Sequence, residues 1–173
     1  MEDLVAIDPR TGKPTNFGPA FKAIAQFLHD RDIPHVFAGT LALNACIRPR
    51  YTEEFQIICD YSAIGQLGSE LNRIAEQAGF CGCITAENPT HPAMTHALAS
   101  RRPAVLFDTP ANLPTALALC WLFLETDDLS SQVDAGALLA TGAVVSDEVQ
   151  SLLEQHASDA AITRFEAAKR DIE

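Results

Sequence analysis

Residues Ile33 to Asp60 read IPHVFAGTLALNACIRPRYTEEFQIICD. Residues 33–37 are short, apolar and partly β-branched, the pattern of a buried strand. Gly39-Thr40 breaks that strand and opens a helical run over residues 41–47. Residues 54–59 form a second strand, with Glu54, Gln56 and Ile58 on one face and Phe55, Ile57 and Cys59 on the other. The connector, Arg48-Pro49-Arg50-Tyr51-Thr52, is basic and polar and carries a proline stop signal. A strand, a glycine turn at a helix start and a second strand with polar residues two apart suit a phosphate and a metal ion.

Outward from this stretch the chain punctuates itself. Residues 1–16 hold Asp8-Pro9-Arg10-Thr11-Gly12-Lys13-Pro14, a turn-rich arm, and Asn16 is placed to cap a helix running to about Asp30. In that helix Phe17, Phe21, Ile24, Phe27 and Leu28 make an apolar stripe. A helix over 62–78 repeats Ile64, Leu67, Leu71, Ile74 and Ala75, and Gly79 ends it. Residues 80–85 read as a third strand, 93–100 as a short helix, and 103–108 as a fourth strand closed by Thr109-Pro110. From Leu113 onward the reading is entirely helical: 113–124, 127–139, 146–156 with Ser146 as its cap, and 158–172. The expectation is an α/β fold, a mixed sheet flanked by helices over 1–112, with a C-terminal helical tail over 113–173 packed on it.

Composition narrows the function. The chain has 173 residues, 47% of them hydrophobic, enough for one domain with a core. No apolar run approaches the roughly 20 residues of a membrane span, and Met1-Glu2-Asp3 does not begin a signal peptide. A cytoplasmic protein away from membranes is expected. Twelve Lys and Arg against 23 Asp and Glu give a formal charge of -11, which opposes nucleic-acid binding. A nucleoside triphosphate remains compatible, because metal ions and a few local cations can neutralise it. Arg48/Arg50 and Arg101-Arg102 are the tight arginine clusters. Five Cys, an odd number, point to free thiols. Cys81, Cys83, His91 and His96 supply zinc-ligand chemistry, but the C-x-C start and uneven His spacing fit no common zinc module, so zinc is not expected.

The central stretch resembles the nucleotidyltransferase fold of the DNA polymerase beta superfamily. It looks closest to the small bacterial branch of minimal nucleotidyltransferases and abortive-infection-type toxins. Gly39-Thr40 resembles that family's Gly-Gly or Gly-Ser turn, and Arg50-Tyr51-Thr52 its Arg-x-Thr connector. Glu54-Phe55-Gln56 stands where the family carries Asp-x-Asp, so the motif is degenerate. Asp108, at the end of the fourth expected strand, stands where the family often supplies a third carboxylate; beside Thr109-Pro110 it reads equally as an ordinary turn residue. In the tail, Val133-Asp134 ahead of Leu138-Leu139 keeps the acid of the family's Lys-Asp pair and not the lysine.

The resemblance implies catalytic positions at Glu54, Gln56 and Asp108, metal ligands at Glu54 and Asp108, and nucleotide contacts at Gly39, Thr40, Arg50 and Thr52. Nucleotidyl transfer uses two divalent ions, one on the attacking oxygen and one on the leaving phosphates. Glu54 keeps a charge on a longer arm, and Gln56 offers only a neutral amide oxygen, whereas Mg²⁺ favours carboxylates in near-ideal octahedral geometry. Weak Mg²⁺ binding and impaired transfer follow. Three classes are therefore carried forward. They are a nucleotide-binding pseudo-enzyme, an active enzyme moving a nucleotide to a small molecule or protein, and a toxin–antitoxin-type module that binds a protein partner.

Overall fold

The structure, a computed structural model, describes residues 5–7, 14–16, 18–47, 56–59, 61–78, 91–106 and 108–172. The expected strand over 80–85 lies outside the described residues, as does the connector from Arg48 to Thr52. The turn-rich arm contains a short ladder: β1 (Val5–Ile7) pairs antiparallel with β2 (Pro14–Asn16). Asn16 is thus a strand residue opposite Val5. The helix it was expected to cap, α1 (Gly18–Asp30), starts two residues beyond it.

The central reading holds in its essentials. β3 (His35–Ala38) is fully buried and runs into α2 (Gly39–Leu43), and β3 pairs antiparallel with β4 (Gln56–Cys59). The helical run is shorter than expected and begins at Gly39 itself; residues 44–47 continue only as turns. Alternation along β3 sends its side chains to two helical layers. Phe37 meets Phe21 of α1 with ring centroids 4.7 Å apart. Val36 faces the other way, onto Ala97 of α4 (Pro92–Ala99) and Ala118 of α5 (Ala116–Glu125). α3 (Tyr61–Gln77) lies against α1, where Leu71 and Ala75 are buried and Arg31 Nη2 reaches Glu70 Oε1 at 3.3 Å.

One expectation is corrected here. The fourth strand, β5 (Arg102–Leu106), does not hydrogen-bond to β3 or β4; its antiparallel partner is β6 (Thr109–Leu113), a strand the sequence reading placed partly in a turn and partly at a helix start. The described strands therefore make three two-stranded ladders, and the mixed sheet is approached only by packing of β6 against β3. The reason is a turn. Leu106 pairs with Thr109, and Asp108 between them takes φ 61°, a left-handed conformation that Asp tolerates better than most side chains. The chain then reverses at once, and Thr109, Ala111 and Leu113 point inward.

Helices α5, α6 (Leu129–Ala140), α7 (Ser146–His156) and α8 (Asp159–Arg170) follow, so the helical reading of the tail holds from Ala116 on. Val145 occupies the cap position of α7, with Glu148 N and Val149 N bonded to its carbonyl, and Ser146 is already the first helical residue. α5 is apolar almost all round and is correspondingly central. Ala118, Leu119, Cys120, Trp121, Phe123 and Leu124 are all buried, and it touches α2, α4, α6, α7 and α8. One apolar cluster extends from Phe21 on α1 to Phe165 on α8. Each fully buried Leu or Phe in it contributes about 1.5–3 kcal/mol relative to exposure. No helix among the described residues is long and apolar enough to cross a membrane.

Candidate functional site

The site expected from the sequence centres on the end of β3. Gly39 follows the strand with φ 63° and is buried. Its hydrogen in place of a side chain also makes room for a neighbour. A Cβ built there would lie 3.1 Å from Gln56 Cδ, 3.2 Å from Oε1 and 3.3 Å from Cγ. Two independent demands, a left-handed backbone and a close approach, both select glycine. The β3–β4 register explains the second, because Ala38 is the cross-strand partner of Gln56. The structure thus brings the glycine turn and the second position of the expected acidic motif together, with Thr40 half-buried beside them. The Gln56 amide is neutral and exposed at this point.

The remaining expected residues divide in two groups. Arg50, Thr52 and Glu54 lie outside the described residues. Asp108 is described, exposed in the β5–β6 turn, where it serves the reversal of the chain. No group of three or more His, Cys, Asp or Glu side chains poised for a metal occurs among the described residues. Cys81 and Cys83 lie outside them, but both nitrogens of His91 have partners. Its Nδ1 accepts the Ala93 N–H at 3.2 Å, capping α4, and its Nε2 sits 3.5 Å from Glu125 Oε2. His96 lies 5.5 Å from the Trp121 ring. Burial pushes the Cys120 thiol up to about 12 and raises that of Cys46.

A polar cluster that the sequence patterns do not announce joins α5 to α8. Glu125, its side chain 8% exposed, accepts Trp121 Nε1–H at 2.9 Å, Ser158 N–H at 3.1 Å and Ser158 Oγ–H at 2.6 Å. Burial alone would raise this carboxyl. The Ser158 and Trp121 donors and the nearby His91 outweigh it and hold Glu125 below the ordinary glutamate value. Ser158 Oγ in turn accepts the Ala161 N–H and caps α8. Arg164 completes the joint, with Nη1 on Leu124 O at 2.9 Å and Nη2 on Asp127 Oδ1 at 2.7 Å. Because Ser158 donates to the carboxylate and not to an imidazole, the cluster is a structural joint between α5 and α8 and not an activated nucleophile. The signal for it was Trp121 and Glu125 at i, i+4 spacing on an otherwise apolar helix.

No protein-family model matches the sequence, and no curated protein matches it.

Proposed function

We propose that the protein is a nucleotide-binding pseudo-enzyme with a nucleotidyltransferase-like site whose transfer chemistry is impaired or lost. The observation that carries this reading is the packing of the Gln56 amide on Gly39. It sets the residue from the second acidic position directly beside the glycine turn, where the resemblance expects a carboxylate. A carboxamide there supplies dipole and hydrogen bonds but no charge, so a divalent ion bridging to triphosphate oxygens loses one anionic ligand. On this reading Glu54 would be the acid left to hold Mg²⁺, and Arg50 and Thr52 are the residues the resemblance assigns to the phosphates, while Asp108 belongs to the β5–β6 turn.

Calorimetric titration with ATP and the other common nucleoside triphosphates, with and without Mg²⁺, tests the reading, together with pyrophosphate release in Mg²⁺ and Mn²⁺. Saturable nucleotide binding with little or no release is expected. Glu54→Asp combined with Gln56→Asp should tighten Mn²⁺ binding by restoring charge and reach together. Robust release by the wild type would make the protein an enzyme and Gln56 a tolerated ligand. Absence of nucleotide binding in wild type and variant alike would remove the nucleotidyltransferase-like reading and leave the protein-binding module.

A further inference from the structure

Helix α6, Leu129–Ala140, turns an uncharged stripe to solvent. At about 100° per residue, Leu129, Val133, Gly136 and Ala140 fall within about 60° of one another, on the side away from the buried Ala135 and Leu138. Leu129 is 77% exposed and Val133 57%, two of the five large apolar side chains left exposed among the described residues. Ala140 is exposed as well. The one charged residue within the helix, Asp134, is buried. By contrast α7 shows Asp147, Glu148 and Glu154 to solvent, and α8 shows Asp159 and Glu166. Apolar residues scattered singly over a surface need no partner, whereas a contiguous run on one helix face marks a contact.

Gly136 is the unusual member of the stripe. Glycine in mid-helix weakens the helix relative to alanine. Nothing within the chain asks for it, because its φ is not positive and a Cβ there would meet nothing within 4 Å. Open space over a glycine admits a large side chain or a second backbone from outside.

We propose that α6 is a homodimer contact, packed antiparallel on the α6 of a second copy across a two-fold axis. Such a contact is isologous: if one residue meets another on the partner, the reverse meeting also occurs. An axis midway between Val133 and Gly136 sets Val133 on the partner's Gly136 and Leu129 on the partner's Ala140. Each large side chain then faces a small one, and the pattern closes on itself as a two-fold pair requires. The same register sets Asp127 and Asp128 beside the partner's uncharged Gly142 and Thr141, and Arg164 at 2.7 Å already offsets Asp127. A parallel pair would bring those four acids together. Charge selects this face as well, since two copies at a formal charge of -11 repel and here they meet without opposing carboxylates. Twelve residues make a face about 18 Å long, below the standard interface size. The dimer is therefore weak, with a dissociation constant of about 10–100 μM. The contact is independent of the nucleotide reading.

Sedimentation velocity of the full chain from about 5 to 500 μM reads the monomer–dimer balance. The wild type should pass from monomer to dimer across that range. Val133→Glu should abolish the dimer. Gly136→Ala strengthens the helix itself, yet should weaken the dimer about tenfold, because a Cβ is added at two equivalent contacts. Leu129→Glu should also abolish the dimer, and adding Ala140→Lys in the same chain should restore it at low salt. Both changes suit the helix dipole, and the two positions lie about 16 Å apart along α6, so the rescue comes only from the partner's helix. A chain that stays monomeric to about 500 μM leaves the face to another protein or to solvent and overturns the proposal. A dimer indifferent to Val133→Glu or Gly136→Ala meets elsewhere and overturns it too. Failure of the double change to restore the dimer overturns the antiparallel register. Should a charged variant unfold, Gly136→Ala decides alone.

Discussion

Substituting three glycines by alanine separates the two reasons for Gly39. Gly136 lies within α6, where a Cβ meets nothing within 4 Å, so Gly136→Ala should stabilise by about 0.5–1 kcal/mol through helix propensity. Gly142 has φ 70° and equally open space, so Gly142→Ala carries backbone strain alone, about 1–2 kcal/mol. From that is subtracted the roughly 0.4–1 kcal/mol gained by restricting the unfolded chain. Gly39 combines φ 63° with the 3.1 Å approach of Gln56 Cδ. Gln56 is exposed and its far end can swing aside, so the contact adds only a few tenths of a kcal/mol. Gly39→Ala should therefore destabilise by about 1 kcal/mol, somewhat more than Gly142→Ala, and Gln56→Ala in the same chain should recover the excess but not the strain. Urea unfolding of all four variants measures this, with slopes unchanged. If Gly39→Ala is neutral or stabilising, as Gly136→Ala should be, the left-handed turn on which the candidate site rests is not there.

Glu125→Gln keeps the shape of the joint but not its charge, and should cost about 1–3 kcal/mol at neutral pH by urea unfolding. Because the folded carboxyl is held below its ordinary value, its contribution is present above about pH 4.3 and lost as pH falls through the folded value. The wild type should thus lose more stability than Glu125→Gln on acidification from pH 5 to 3. Asp128 caps α6 by accepting Ser131 N–H at 2.9 Å, and the Ser130 and Ser131 hydroxyls help hold it down to about 2. Asp128→Ala should cost about 1 kcal/mol in thermal unfolding and Asp128→Asn much less. Phe165, 1% exposed, anchors α8 to the core, and Phe165→Ala should cost about 3–5 kcal/mol, read as earlier proteolytic cleavage within α8.

What could be read in advance was set by pattern strength. α1, α3 and the C-terminal helices announce themselves by apolar residues at helical spacing, and their bounds fall within a few residues of expectation. β3 and the Gly39 turn were legible because an apolar run met a residue free to take positive φ. β6 was not, because Thr109-Pro110-Ala111-Asn112-Leu113 looks like punctuation between two prolines. Its inward residues are small except for Leu113, so the period of two is carried by Thr and Ala rather than by large apolar groups. Missing β6 is what made Asp108 look like a strand end rather than the tip of a hairpin. Within the candidate site, Gly39 and Gln56 lie side by side because a strand register fixes such pairs. Glu125 escaped notice because Ser158, the partner that gives it its meaning, lies 33 residues further along the sequence.

The joint at Glu125 has a consequence for how the chain is made. Its ties to α8 span 33 residues from Glu125 to Ser158, 40 from Leu124 to Arg164 and 37 from Asp127 to Arg164. Ribosomes add about 5–20 residues per second, so Ser158 is joined to the chain about 2–7 s after Glu125. Through that interval α5, the helix on which the other layers converge, has neither Ser158 nor Phe165 to cover its C-terminal end. Early helices can meet β3 and one another, but the centre closes only when α8 arrives. A nascent chain paused between α7 and α8 therefore leaves the end of α5 at Leu124 and Glu125 without its α8 partners, and is the form most in need of a chaperone.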